Sequence, residues 1–157
     1  PDSLPDQYAR MTNAALEGRP SDMTITMHLC RGNFRSTFVA SGGYEPVAEI
    51  LFNEMAIDGF FLEYDDERSG DFAPLRFMPK GKRVVLGLMS SKRPEVESKE
   101  DLTQRIEEAA NYVPLDQCCL SHQCGFSSTA HGNELTEDDQ WKKLARCVEV
   151  AEEVWGD

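Results

Sequence analysis

The pattern that most restricts the fold of this chain is a repeated alternation of extended and helical segments. Extended patterns cover residues 23–30, 59–64, 83–88 and 117–121. Helical patterns cover residues 4–17, 46–57, 98–113 and 136–155. Strands and helices that alternate across short connections form a parallel sheet with helices packed outside it. The sequence therefore predicts an α/β fold with four parallel strands.

The first predicted strand has two chemically different faces, because successive side chains of a strand point to opposite sides. Met23, Ile25, Met27 and Leu29 fall on one side, and Thr24, Thr26, His28 and Cys30 on the other. The helices show apolar stripes at helical spacing. For the first helix the predicted stripe is Leu4, Tyr8, Met11, Ala15 and Leu16; for the last it is Trp141, Leu144, Ala145, Val148, Ala151 and Trp155.

Capping residues predict where several helices begin and end. Pro46 is suited to the first position of a helix, and Ser98 with Asp101 forms a box-like start for another. Thr136 predicts the start of the last helix, and Gly156 predicts its end.

Charge and composition exclude several partner classes. The 157 residues carry 16 Lys and Arg against 28 Asp and Glu, a formal net charge of −12. Nucleic-acid backbones and anionic membranes both favour positively charged partners, so neither is expected here. No apolar run approaches the ~20 residues of a membrane span. Because no secretory signal pattern follows Pro1, we expect a cytoplasmic protein.

Cysteine usage is consistent with a reducing compartment. The chain has five cysteines, an odd number, and no secretory segment, which favours free thiols or metal ligands over disulfides. Cys118, Cys119 and Cys147 are expected to be core thiols. Cys30 and Cys124 remain for a functional role.

Three predicted strands end with side chains that can bind a metal ion. His28 and Cys30 lie two apart on one face of the first strand, Glu63 ends the second, and Cys124 follows the fourth. Each taken alone is more often a rim or packing residue. Together they offer an imidazole nitrogen, two thiolates and a carboxylate at one edge of the sheet, a ligand set that suits zinc.

Four motifs in this order resemble the catalytic domain of cobalamin-independent methionine synthase, in particular its short single-barrel relatives. The motifs are M-H-L-C-R-G-N, F-L-E, S-S-K-R-P-E-V-E-S and L-S-H-Q-C-G-F-S-S. The resemblance extends from the helix at Tyr8 to the closing residues 154–156. It implies one catalytic zinc ion (Zn²⁺) held by His28, Cys30, Glu63 and Cys124.

The resemblance also implies a reaction, in which zinc-activated homocysteine thiolate takes the N5-methyl group of a methyltetrahydrofolate to give methionine. Two alternatives stay open at this point. The zinc-thiolate chemistry could serve a different thiol or methyl donor, as an alkyltransferase or lyase. The chain could also be an inactive metal-binding fragment that needs a partner half-barrel.

The leaving nitrogen of the methyl donor needs a proton, so we expect a general acid near the zinc. Long members of the family use the His of a D-I-H-S stretch, and ungapped counting back from Cys124 places Lys92 there. Lys92 is thus a possible proton donor, with His122 and His131 as weaker alternatives. We expect Arg31, Asn33 and Ser90 to bind substrate. The guanidinium groups of Arg35 and Arg68 could also bind a carboxylate group of the substrate.

The length of the chain limits what it can contain. A complete (β/α)₈ barrel takes roughly 250 residues and eight strand–helix units, whereas four units are visible here. The resemblance therefore implies that residues 1–157 form one domain, the C-terminal half of such a TIM barrel, with four parallel strands each followed by a helix and an N-terminal helix in front. Because the first residue is not Met, we expect the chain to start inside a longer gene product. Two open strand edges predict self-association or a complementary half-barrel.

Overall fold

The computed structural model describes residues 4–37 and 39–156 and shows an α/β fold with four parallel strands in one sheet. The strands are β1 (Thr26–Leu29), β2 (Gly59–Glu63), β3 (Arg83–Met89) and β4 (Cys118–His122). The helices are α1 (Leu4–Ala15), α2 (Ala48–Glu54), α3 (Lys99–Ala110) and α4 (Glu137–Trp155). The predicted fold class is confirmed.

The strands lie in the sheet in the order in which they occur in the chain, β1-β2-β3-β4, and every neighbouring pair is parallel. The register pairs His28 with Phe61 and Leu62 with Leu86. All four strands therefore end at the same edge, which we call the carboxyl rim. The residues that follow the strands meet there, as the sequence predicts.

One element differs from the predicted pattern, at the connection between β2 and β3. This connection holds two short 3₁₀ segments, Glu67–Ser69 and Ala73–Phe77, where a complete unit would have an α-helix. Phe72 and Leu75 of the connection are buried and fill the space against the sheet.

A single apolar core lies between the sheet and the helices. It includes Phe52 of α2, Phe60 and Leu62 of β2, Leu86 of β3 and Ile106 of α3, all of which are almost fully buried. Burying side chains of this size stabilises the fold by roughly 1.5–3 kcal/mol each. The two faces of β1 are confirmed, since Met27 and Leu29 pack against this core while His28 and Cys30 face away from it.

The predicted caps of α3 and α4 are present. The Ser98 hydroxyl accepts the Asp101 N–H at 3.0 Å, and Thr136 and Asp139 form a reciprocal capping box. Gly156 ends α4 with a positive φ of 79°. Pro46 is not the first residue of α2, because the Tyr44 carbonyl accepts the N–H groups of Val47 and Ala48 and forms a turn before the helix begins.

Two of the predicted apolar stripes do not form buried faces. Leu4, Tyr8 and Met11 of α1 are about half exposed, at 46%, 55% and 59%. These residues lie beside β1, which is an edge strand, and Leu4 and Tyr8 line an apolar groove of about 520 Å³ between α1, β1 and α2. The apolar stripe on α1 therefore faces this groove and solvent. The sequence pattern predicted that the same stripe would pack against the core.

The face of α4 also differs from the prediction. Trp141 and Val148 are 60% and 56% exposed, whereas the side chains of Lys143 and Val150 are fully buried. Lys143 is buried because its ammonium group reaches the Glu97 carboxylate at 3.1 Å and the backbone carbonyl of Glu95. This polar contact rotates the helix relative to its apolar stripe.

Gly87 allows the strands to approach closely beneath the carboxyl rim. A Cβ atom at this position would lie 2.6 Å from the Leu62 carbonyl oxygen and 2.8 Å from the Gln123 Cα. The register between β3 and β4 shifts here, between Gly87 and Met89. Glycine thus brings the chain just before Cys124 against β3.

None of the helices in the described ranges is both long and apolar enough to cross a membrane.

Candidate metal centre

The four predicted ligands converge at the carboxyl rim. One donor atom from each of His28, Cys30, Glu63 and Cys124 lies within 4.8 Å of the other three. His28 and Cys30 come from the end of β1, Glu63 is the last residue of β2, and Cys124 follows β4 by two residues. A cluster of these dimensions can surround a single metal ion.

Glu63 is held by contacts on both its carboxylate and its backbone. The carboxylate Oε2 accepts the Arg31 backbone N–H at 3.1 Å. The Glu63 backbone N–H donates to the Tyr44 hydroxyl at 2.8 Å, and both side chains are buried. The remaining oxygen, Oε1, is buried, accepts no hydrogen bond of normal geometry, and lies 3.4 Å from His28 Nε2. One carboxylate oxygen is therefore anchored and the other is directed into the cluster.

Cys30 is oriented by the turn that follows β1. The Gly32 backbone N–H donates to the Cys30 Sγ at 3.2 Å. Gly32 has a φ of +87°, and a Cβ atom there would lie 2.6 Å from the Val39 Cβ. Both the backbone conformation and the close approach of Val39 require glycine in this turn.

His28 and Cys124 are hydrogen-bonded to each other within the cluster. The Cys124 sulfur and then the Glu63 carboxylate raise the pKa of His28 to about 10. The same hydrogen bond from His28 lowers the pKa of the Cys124 thiol. An imidazolium beside a thiolate is a pair from which a divalent cation can displace the proton.

The residues of the cluster fit zinc by their chemistry. One imidazole, two thiolates and one carboxylate form a four-ligand set of the kind that zinc prefers. The buried Glu63 Oε1 supplies a further argument, because its neighbour His28 Nε2 at 3.4 Å makes no hydrogen bond of normal geometry with it, and a nearby cation would satisfy this oxygen.

Lys92, the predicted proton donor, also lies at the carboxyl rim. Its ammonium group pairs with the Asp65 carboxylate at 2.5 Å, and the two side chains are 11% and 5% exposed. Together with Ser36, Asp66 and other residues they line a polar pocket of about 260 Å³. The assignment of Lys92 as the proton donor stays a prediction.

The two histidines named as weaker alternatives lie in different surroundings. Burial, followed by the nearby Lys143 ammonium, lowers the pKa of His122 to about 4, so this imidazole is neutral at pH 7. Its ring packs against Phe126 with centroids 4.6 Å apart. His131 is exposed and contacts the edge of the Phe34 ring.

The residues expected to contact substrate take part in contacts within the protein. Arg31 places its guanidinium 4.7 Å from the centre of the Tyr44 ring. Asn33 and Ser90 are 5% and 2% exposed, and the Ser90 N–H donates to the Glu97 carboxylate. Arg35 is exposed and Arg68 pairs with Asp66. Substrate contact by these residues stays a prediction.

Sequence reasoning missed the residues that support the ligands. Tyr44 anchors the backbone of Glu63, and Ser91 and Asn133 bind the loop that carries Cys124. Tyr44 lies 19 residues from its partner, and no local spacing indicates such a contact. The only available signal was the position of Ser91 in the S-S-K-R-P motif directly after β3.

Fold and site together define the class of this protein: a parallel α/β half-barrel with a His, Cys, Glu, Cys cluster at its carboxyl rim, able to hold one metal ion. A sequence profile described as "Cobalamin-independent synthase, Catalytic domain" matches residues 8–153. The chain belongs to this family.

Known proteins of similar sequence are longer than this chain. Two Bacillus subtilis (strain 168) proteins, the uncharacterized YxjH and YxjG, are 56% and 54% identical to it over 156 residues. These alignments cover 99% of this chain and 41% of each relative. The chain thus spans about two fifths of the length of these relatives.

Solved structures agree with the fold. A Listeria monocytogenes protein assigned as a vitamin-B12-independent methionine synthase matches with a TM-score of 0.78 and 39% identity, over 100% of this chain and 43% of that one. A B12-independent methionine synthase from a Shewanella species, solved with selenomethionine, matches with a TM-score of 0.77 and 21% identity, over 98% and 44% of the two chains. The second likeness concerns the fold alone.

Proposed function

We propose that this chain carries the zinc-binding part of the active site of a thiol S-methyltransferase of the methionine synthase type. In the proposed reaction the homocysteine sulfur attacks the N5-methyl group of a methyltetrahydrofolate and forms methionine. The observation that carries the proposal is the approach of four ligand atoms to within 4.8 Å, in a chain that belongs to this family.

The charges of the ligands suit the activation of a thiol. When bound, zinc supplies the positive charge that keeps a substrate thiol deprotonated near neutral pH. Cys30, Cys124 and Glu63 contribute three negative charges against the two positive charges of the ion. This excess leaves electron density on a bound sulfur, which therefore stays nucleophilic.

Glu63 is the ligand best suited to give way to a substrate thiol. It is the single oxygen ligand in a set with two thiolates, and thiolates suit zinc at least as well. Its Oε2 would keep the Arg31 N–H hydrogen bond while Oε1 leaves the metal. The Arg31 hydrogen bond would thus hold one carboxylate oxygen in place if the other were displaced.

Proton delivery to the methyl donor is assigned to Lys92. When the methyl group leaves N5, the nitrogen keeps the bonding electron pair and must take up a proton. Lys92 is held by Asp65 at the same rim as the ligands. His122, whose pKa is lowered to about 4, is neutral at pH 7 and is the weaker assignment.

A different thiol or methyl donor is the second candidate function, as for a zinc-dependent alkyltransferase or lyase. The observation that favours it is the Lys92–Asp65 pair, since the family's long enzymes use a histidine in the corresponding stretch. The metal centre would be the same in both functions.

The remaining part of the substrate site is proposed to lie outside this chain. The chain matches about two fifths of its relatives, and β1 and β4 each have one neighbour among the described strands. We propose that a complementary half-barrel, or a second copy of this chain, covers these edges. The isolated chain is then expected to bind homocysteine weakly.

Cobalt-substituted protein provides a direct test of thiol binding, because Co²⁺ bound to sulfur absorbs strongly in the near ultraviolet. We expect millimolar homocysteine to increase this absorption, as a third sulfur replaces Glu63. Homoserine, which has a hydroxyl in place of the thiol, is the matched control and should leave the spectrum unchanged. Equal spectra with homocysteine, homoserine and buffer would contradict the proposal.

An assay of methionine formation separates the two candidate functions. Methyl transfer to homocysteine from methyltetrahydrofolates of one and three glutamates would support the folate donor. Thiol binding without methyl transfer from either folate would favour the second candidate.

A further inference from the structure

The segment that carries Cys124 makes its last bond to the sheet at Gln123, whose N–H donates to the Met89 carbonyl at 2.8 Å. β4 is an edge strand that ends at His122, so Cys124 and Gly125 continue beyond the last strand pairing. Cys124 is the one cluster ligand that neither belongs to a strand nor directly follows one. Contacts from other loops must therefore fix its position.

Ser91, in the loop after β3, binds the side chain of the residue before Cys124 and the backbone of the residue after Cys124. Its backbone N–H donates to the Gln123 side-chain oxygen at 2.6 Å. Its hydroxyl donates to the Gly125 carbonyl at 3.0 Å. Ser91 is 0% exposed, so water does not replace either bond.

The same hydroxyl connects to the loop that follows Cys30. Asn33, three residues after Cys30, donates its side-chain N–H to Ser91 Oγ at 3.3 Å. Ser128, four residues after Cys124, donates its hydroxyl to the Asn33 carbonyl at 2.5 Å. Both loops that carry thiolate ligands therefore meet at one serine side chain.

Asn133 completes the arrangement from the far end of the loop between β4 and α4. Its side-chain amide donates to the Ser91 carbonyl at 2.9 Å and to the Gly125 carbonyl at 3.3 Å. The N–H, hydroxyl and carbonyl of Ser91 are thus all engaged. Two of these contacts reach the residues on either side of Cys124, a third reaches Asn33, three residues after Cys30, and none reaches the ligands themselves.

We propose that Ser91 is a positioning residue of the metal centre, which sets the separation of the two thiolates by joining their loops. The inference rests on the proposed metal centre. Removing the hydroxyl takes one donor from the Gly125 carbonyl in a buried region and releases the Cys124 segment from one of the hydrogen bonds that hold it. Loss of comparable supporting contacts weakens metal binding about 10–100-fold.

The test compares Co²⁺ binding by the wild-type chain, Ser91→Ala and Ser69→Ala. Ser69 is the matched control, because it is also buried and its hydroxyl has no hydrogen-bond partner among the described residues. Affinity is measured by competition with a chelator, and thiolate ligation by the sulfur-to-cobalt absorption. We expect Ser91→Ala to bind about 10–100-fold more weakly with weaker sulfur absorption, and Ser69→Ala to match wild type.

Asn133→Ala supplies a second variant, at a partly exposed position. It removes two hydrogen bonds to the same unit and should weaken Co²⁺ binding in the same direction, by a smaller factor. If Ser91→Ala does not fold, this variant decides between the outcomes. The melting temperature of each metal-free variant is recorded, because a purely structural role would lower it and leave the cobalt spectrum intact.

The outcomes distinguish this inference from the proposed function. Wild-type affinity and sulfur absorption in both Ser91→Ala and Asn133→Ala would overturn the positioning role and leave the metal centre standing. A lower melting temperature with an unchanged cobalt spectrum would overturn it as well. Failure of the wild-type chain itself to bind Co²⁺ or Zn²⁺ would overturn the proposed metal centre first, and the inference with it.

Discussion

At the scale of single residues, the metal centre depends on how Glu63 is held. Its carboxylate has one oxygen bonded to the Arg31 N–H and one oxygen free for the cluster, while the Tyr44 hydroxyl fixes the backbone. A ligand with two anchors and one free oxygen is already oriented before a metal ion arrives. Such orientation reduces the reorganisation that binding requires.

Tyr44→Phe tests this orientation. The change removes one hydroxyl and leaves the buried Glu63 N–H without its acceptor, which we expect to cost about 1–3 kcal/mol in the free energy of unfolding. Zinc affinity should fall by roughly tenfold or more. Urea unfolding of the metal-free chain and competition with a chelator measure the two effects.

Tyr64→Phe is the control for that variant. The Tyr64 hydroxyl is buried and has no hydrogen-bond partner among the described residues. Its removal should therefore change neither the free energy of unfolding nor the zinc affinity by much. Equal zinc affinities for the two phenylalanine variants would show that the Tyr44 hydroxyl does not orient Glu63.

The convergence of the four cluster residues could be predicted from the sequence, and the residues that support them could not. His28, Cys30, Glu63 and Cys124 stand at strand ends, and parallel topology brings strand ends together. Ser91 and Tyr44 act through side-chain contacts across 19 to 58 residues of sequence. Such contacts follow from the final packing of loops, which no local period encodes.

At the scale of elements, a buried charged pair joins α4 to the connection between β3 and α3. Lys143 of α4 reaches the Glu97 carboxylate at 3.1 Å, and Glu97 in turn accepts the Ser90 N–H at 2.8 Å. The Lys143 side chain is 0% exposed, against 16% for Glu97. Helix packing and the position of the loop after β3 are therefore coupled through one lysine.

Lys143→Met should destabilise the chain by roughly 3 kcal/mol, because it leaves the Glu97 carboxylate largely buried without its cation. The neighbouring Lys142→Met is the matched control, since Lys142 forms an exposed pair with Asp138 on the same helix. For an exposed pair of this kind we expect a loss below about 1 kcal/mol. Urea unfolding measures both variants, and similar losses would argue against a structural role for the buried pair.

Helix faces were predicted less well than strand order, for a physical reason that α1 and α4 illustrate. An apolar stripe predicts the buried face only when another layer covers it. On α1 the stripe borders an open groove beside the edge strand β1, so Tyr8 stays exposed. On α4 the Lys143–Glu97 pair turns a charged residue inward and leaves Trp141 outside.

At the scale of the whole molecule, the sheet has the form of a half-barrel with an open face. The helix side buries the core, whereas Thr26, His28 and Cys30 of the first strand are exposed on the other side. The carboxyl rim nevertheless brings the complete ligand cluster together within this one chain. We therefore propose that metal binding resides in this chain and that the remaining substrate contacts come from the protein segment that covers the open face.

The zinc content of the purified chain tests this central claim most directly. After loading with zinc and exhaustive dialysis, elemental analysis should find about one zinc per chain in the wild type. Cys124→Ser and His28→Ala should lose most of it, because each removes one of four ligands. Cys147→Ser, a matched change at a half-buried thiol on α4, should keep the wild-type content. A folded wild-type chain without zinc, or Cys124→Ser and Cys147→Ser with equal zinc, would contradict the account.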